Sequence, residues 1–174
     1  MLSSNELDHV GLVGEVAIAL DSPQTLQTRA MLELWKSKLC SRDVPFRSDF
    51  SPAEMKDYLD HIYIIEVIDG GADFLVRLAG TALTGTFGED FTGIKFSDER
   101  LKEASWRLKV FRSAFNRLEP VMYRFRLGSA TTMRVMTENL ILPVRDKNDG
   151  HIILMCVSII VGDLNDMGQL INAY

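Results

Sequence analysis

The sequence predicts an α+β domain built on an antiparallel sheet, and three observations predict it. Two β-rich runs, Ile62 to Ile68 and Phe74 to Ala79, are separated by a glycine-bearing turn. One long helical pattern runs from Ser97 to the stop at Glu119-Pro120. Three further strand patterns follow, and the last, His151 to Gly162, is apolar at nearly every position and rich in β-branched residues. A strand of that kind needs cover on both side-chain faces, which places it in the middle of a sheet. It is also far shorter than the roughly 20 apolar residues that a membrane-spanning helix requires.

The bulk properties agree with one soluble domain. The chain has 174 residues, 47% of them hydrophobic and 25% charged, which suffices for one substantial core. A net charge of −5 offers no long-range attraction to phosphate backbones or acidic membranes, so neither a nucleic acid nor a membrane is an expected partner. Two cysteines, Cys40 in a polar loop and Cys156 inside the apolar run, make no disulfide framework and point to a reducing compartment. Met1 to Asp8 lacks a positive n-region and carries Glu6 and Asp8, so it does not read as a secretory signal. A cytoplasmic protein is expected.

Taken in order, residues 1–22 form an amino-terminal extension. Val10, Val13, Ala17 and Leu20 fall at helical spacing, while Gly11 and Gly14 weaken a helix there. Ser22-Pro23 reads as a cap and first position, opening a helix to about Leu39 whose stripe is Leu26, Ala30, Leu34 and Trp35. Residues 40–50 form a loop in which Arg42, Asp43, Arg47 and Asp49 make exposed charge pairs, with Arg47 also a candidate anion clamp. Ser51-Pro52-Ala53-Glu54 is a capping box with proline at the first position, and Phe50 and Met55 form a hydrophobic staple across it, so a short helix runs to about Leu59.

The hairpin follows. Phe74, Val76 and Leu78 alternate with Leu75, Arg77 and Ala79, and Gly70-Gly71 makes the turn rather than a phosphate loop, because a strand follows it. Four glycines between Gly80 and Gly93 predict short helical turns, in which Asp90 and Thr92 bond to nearby backbone. Ser97-Asp98-Glu99 starts the long helix, whose stripe is Leu101, Ala104, Leu108, Phe111, Phe115 and Leu118 and whose outer face carries Arg100, Lys102, Arg107, Lys109, Arg112 and Arg117. Val121 to Leu127 alternates as a half-buried strand with Arg124 and Arg126 outward; Met133 to Val144 follows, with Pro143 expected at a bulge or strand end. Asp146 to Gly150 turns the chain into the central run, and residues 163–174 read as a tail, leaving 23–162 as the domain.

The order of two strands, glycine-broken turns, one long helix and three strands resembles the PAS fold. More narrowly, Leu34-Trp35, Arg42 with Pro45 through Pro52, Arg77-Leu78-Ala79-Gly80-Thr81 and Gly88-Glu89-Asp90-Phe91-Thr92-Gly93 are similar to the PAS-like family of small alphaproteobacterial proteins, over about residues 25–162. The resemblance implies a five-stranded antiparallel sheet in the order 2-1-5-4-3, with helices over one face, extra amino-terminal helices and a sensory or interaction role. It implies neither flavin nor haem. Cys40 and Cys156 both lie outside the short-helix region that carries the cysteine of flavin photosensors, and residues 97–118 contain no histidine.

Enzyme chemistry finds little support. His61 and His151 fall at opposite ends of the strand pairing the resemblance implies, and neither a zinc spacing nor a nucleophile elbow occurs, so no catalytic residue and no metal site is expected. A cavity isomerase or hydratase built on one carboxylate stays open as a lesser alternative. The leading expectation is a sensory module that binds a small ligand or protein partner, with Leu108, Phe111, Phe115, Tyr123 and Phe125 lining the cleft. The alternative is a homodimeric scaffold in which the same residues close into a core.

Overall fold

In the computed structural model, described here for residues 17–87, 90–99, 101, 107–127 and 135–163, the centre is one antiparallel sheet of six strands. These are β1 (Ala17–Ala19), β2 (Ile62–Ile68), β3 (Asp73–Ala79), β4 (Val121–Leu127), β5 (Val135–Arg145) and β6 (Ile152–Asp163), in the order β1-β4-β5-β6-β2-β3. The five strands expected from the sequence keep the order expected of them. The sixth is new: Ala17 to Ala19, which lie at helical spacing with Val10 and Val13, instead extend the sheet by pairing with Phe125, Arg124 and Tyr123. Ala17 to Ala19 pair in this way because an open β4 edge has backbone donors and acceptors to satisfy, while the helical segments Leu26–Ser37 and Pro52–His61 still precede β2. Residues 1–16 lie outside the described part.

The apolar run is mid-sheet, between β5 and β2, and period-2 alternation divides its side chains between two cores. Leu154 and Cys156 join Ile65, Phe74, Val76, Val121, Tyr123, Phe125 and Ile141 under helix α3 (Arg107–Arg117). Ile153, Met155, Val157 and Ile159 join Ile62, Ile64, Met122, Leu140, Leu142 and Val144 under helix α1 (Leu26–Ser37). Each such side chain, fully buried, contributes about 1.5–3 kcal/mol of transfer free energy. β4 is consequently covered on both faces rather than half-buried, since Met122 packs on the α1 side.

α1 departs from its expected start and phase. Its cap is Thr25, whose hydroxyl accepts the Thr28 N–H, not Ser22. Its buried residues are Thr28, Met31, Leu32 and Trp35, while Leu26 and Ala30 face solvent and Leu34 is half-buried. Two lines of residues on this helix have usable spacing. The buried line wins because it carries Trp35, which donates its indole N–H to the Pro143 carbonyl at 2.8 Å, and Thr28, which donates to the Glu138 carboxylate. Glu138, 1% exposed on β5, also accepts the backbone N–H groups of Gln24 and Thr25 and pairs with Arg124 at 3.0 Å. A strand carboxylate thus satisfies the orphan donors at a helix start.

The capping box at Ser51 is present, with hydroxyl and carboxylate bonded reciprocally to the Glu54 and Ser51 N–H groups, and both staple residues Phe50 and Met55 are buried. The segment it opens, Pro52–His61, winds as a 3₁₀ helix. The Lys38 ammonium and the Ser51 backbone N–H hold the Glu54 carboxyl down at about 2. In the preceding loop, Arg42 pairs with Asp49 and stacks on Phe46, and Arg47 donates to the Phe50 carbonyl.

β3 loses its simple alternation. Ile64 faces Leu78 and Ile65 faces Val76, so Arg77 is the extra residue of a bulge, and Leu78 turns out of the Phe74–Val76 set to stand 49% exposed. Pro143 marks neither a bulge nor a strand end of β5. The β4–β5 ladder stops at Val121–Ile141, so its missing N–H falls on the side that β4 has already left. Gly80 passes so close to the 3₁₀ segment that a Cβ there would lie 2.2 Å from the Asp60 carbonyl oxygen, which only glycine permits. Helix α2 (Thr81–Phe87) follows it, and Gly88 and Glu89 lie outside the described residues.

Candidate functional site

The candidate site lies where α3 crosses the sheet. Of the expected stripe, Phe111 is buried to the floor, but its deepest neighbours are Val110 and Ala114, with Leu108 and Phe115 half-buried to either side. Ala104 lies outside the described residues, and Leu118 ends the helix in a left-handed conformation and packs against the α1-side core. The helix is rotated from the expected phase so that Phe111 can sit between Phe74, at 5.3 Å between ring centroids, and Phe96, at 5.0 Å edge-on.

Phe111, Tyr123 and Phe125, each no more than 2% exposed, belong to one cluster, and Leu108 packs at its margin. Phe115 does not join them. It covers the hairpin turn, where a Cβ on Gly71 would meet its ring at 3.1 Å. Gly71 sits at φ 91°, so both its backbone and the approaching ring require glycine.

Residues that sequence reasoning did not single out make this face unusual. Strand register brings Tyr63 opposite Cys156, Ser158 opposite Asn139, and Asn139 opposite Tyr123, all on the α3 side of the sheet. Asn139 donates to the Thr137 hydroxyl at 2.9 Å, and that hydroxyl donates to the Phe125 carbonyl. Tyr63 faces Cys156 across the β2–β6 pairing, and the Cys156 thiol donates to the Leu154 carbonyl. A polar band therefore crosses four strands beneath the apolar face of α3. At one end of it, the Arg107 guanidinium lies 4.4 Å from the centre of the Phe125 ring. The signal available in the sequence was Thr137-Glu138-Asn139, three polar residues within the stretch from Met136 to Val144, which is otherwise apolar and central.

The band is neutral chemistry. Burial pushes the Tyr63 phenol well above its ordinary range, helped by Tyr123 and Cys156, with the Arg107 charge opposing; burial likewise pushes the Cys156 thiol far up. The basic face expected on the long helix is partly engaged, with Arg112 donating to the Gly71 and Ala72 carbonyls and Arg117 paired with Glu119. His61 and His151 lie at opposite ends of the β2–β6 pairing, with His151 beside Asp149 and Glu66 and His61 beside Asp60.

An antiparallel sheet with its last strand inside, crossed by a helix, is the architecture of a PAS domain, a class of sensory or interaction modules. The chain belongs to the PAS domain family, whose model matches residues 24–158. No curated protein matches it. No helix of the described residues is long and apolar enough to cross a membrane.

Proposed function

We propose that this chain is a sensory module that takes a small molecule between α3 and the sheet and has no catalytic output of its own. The supporting observation is the polar band. Tyr63, Tyr123, Thr137, Asn139 and Ser158 place hydroxyls and an amide where a face serving only stability would use apolar side chains, since each buried polar group left without a bond costs about 1–3 kcal/mol. The high thiol and phenol values of Cys156 and Tyr63 leave neither as a nucleophile or base near neutrality, which favours binding over turnover.

Native mass spectrometry of the purified protein and thermal shifts across a metabolite panel test this. A ligand at a hundredfold excess over its Kd adds about 2.7 kcal/mol to the folded state, and Asn139→Leu should reduce that gain. An empty protein with no shift anywhere in the panel overturns the proposal.

One observation favours a second reading, the homodimer. With α1 packed through Met31, Leu32 and Trp35, the line Leu26, Ala30 and Leu34 is left toward the outside, with Leu26 78% exposed. If copies pair through α1, Leu26→Asp with Ala30→Glu should convert a dimer into a folded monomer in light scattering after gel filtration. A wild-type protein that is monomeric at every concentration removes this reading.

A further inference from the structure

We infer that the β2–β3 hairpin turn is a site of spontaneous covalent modification, where Asp69 cyclises onto the Gly70 amide and reopens as isoaspartate, straining the contact of the turn with α3. The chain contains two Asp-Gly pairs, Asp69-Gly70 and Asp149-Gly150. Glycine presents the least hindered backbone amide to a preceding carboxyl, so both pairs carry the same intrinsic reactivity. The fold separates them.

Asp149 is held in place. Its carboxylate lies against the His151 ring and accepts the His151 N–H at 3.2 Å, and these bonds keep the carboxyl below its ordinary range. A charged carboxylate has no hydroxyl to lose as water, and the Gly150 N–H is itself committed to the Asp146 carbonyl at 3.1 Å. Asp69 and Gly70, by contrast, are both exposed, and the Asp69 carboxylate takes no hydrogen bond or ion pair among the described residues. The β2–β3 ladder closes at Ile68–Asp73, which leaves the Asp69–Gly70 peptide beyond its last rung. Asp69 also stands at φ 46°, so the backbone rotation that ring closure needs starts from a left-handed conformation unfavourable to any side chain.

The chemistry needs water alone. The Gly70 nitrogen attacks Cγ of the protonated Asp69 carboxyl, the N–Cγ bond forms, and the carboxyl hydroxyl leaves as water with the amide proton. Water then adds to the backbone carbonyl carbon of the resulting cyclic imide, and the bond from that carbon to the Gly70 nitrogen breaks. The main chain now runs through Cγ and is longer by one methylene. The turn has little slack to absorb it, because Arg112 holds the Gly71 and Ala72 carbonyls and Gly71 lies directly beneath the Phe115 ring.

Prolonged incubation of the purified full chain near neutral pH, followed by peptide mapping with electron-transfer fragmentation, tests this. Isoaspartate should accumulate in the peptide carrying Asp69 about tenfold or more faster than in the one carrying Asp149. In urea, where the fold no longer distinguishes them, the two peptides should convert at similar rates. His151→Ala should raise conversion at Asp149 in the folded chain, and Asp69→Glu, which cannot close the same ring, should remove the product at the turn. Aged wild type should unfold at lower urea than Asp69→Glu aged in parallel. Equal rates at the two pairs in the folded chain, an Asp69 peptide that stays unchanged while the unfolded chain converts, or a fully converted protein as stable as the fresh one overturns the inference.

Discussion

Glu138→Ala is expected to destabilise the domain by about 3–5 kcal/mol, measured by urea denaturation near neutral pH. The carboxylate is 1% exposed and has five donors: the Gln24 and Thr25 N–H groups, the Thr28 hydroxyl and two guanidinium nitrogens of Arg124. Removing it leaves Arg124 a partly buried cation without this partner and returns two helix-start donors to an unsatisfied state. Against a typical total stability of 5–15 kcal/mol, that is a large fraction. Replacing both Glu138 and Arg124 by leucine should cost less than the sum of the single changes, because no charge is then stranded. A loss under about 1 kcal/mol for Glu138→Ala would show that α1 docks without this carboxylate.

The same group sets an acid dependence with a definite sign. Burial pushes the Glu138 carboxyl up, but bonds from Thr28, Thr25, Gln24 and Arg124 outweigh it and hold the group below its ordinary value of about 4.5. A depressed folded value means that its contribution is complete above the unfolded value and disappears as pH falls through the folded one. The stability gap between wild type and Glu138→Gln should therefore be widest above about pH 5 and narrow progressively on further acidification. A gap that does not change from pH 7 to pH 3 would contradict the assignment.

Phe111→Ala carries the second large effect, an expected loss of about 3–5 kcal/mol. The side chain is fully buried and its ring contacts Phe74 and Phe96, so truncation removes both transfer free energy and aromatic contacts and leaves a cavity beneath α3. Phe115→Ala should cost clearly less, because that ring is half-buried over the hairpin turn. Equal losses in denaturant titrations would show that α3 is not phased on Phe111. The pair thus measures the rotation of the helix as well as the strength of the core.

That rotation illustrates why some of the site was legible and some was not. Periodicity identified Phe111, and alternation placed Tyr123 and Phe125 on one strand face, because both patterns are local. Phe115 shares the same helical spacing and still fell elsewhere, since the approach of the Gly71 turn is a contact between segments far apart in the chain. Tyr63, Asn139 and Ser158 escaped notice for a related reason: they lie in three different strands, and only the register across β2, β6, β5 and β4 assembles them.

By itself the sequence determined the elements and their order: the β-branched run that must lie mid-sheet, the hairpin with its glycine turn, and the Ser51–Glu54 capping box. These follow from side-chain shape and spacing within a few residues. Tertiary structure alone decided which line of α1 is buried, because Leu26-Ala30-Leu34 and Met31-Leu32-Trp35 both satisfy helical spacing and the choice rests on Thr28 reaching a carboxylate 110 positions away. It likewise decided the bulge at Arg77, the added strand β1 and the polar band, each of which depends on a backbone or side-chain partner supplied by a distant segment.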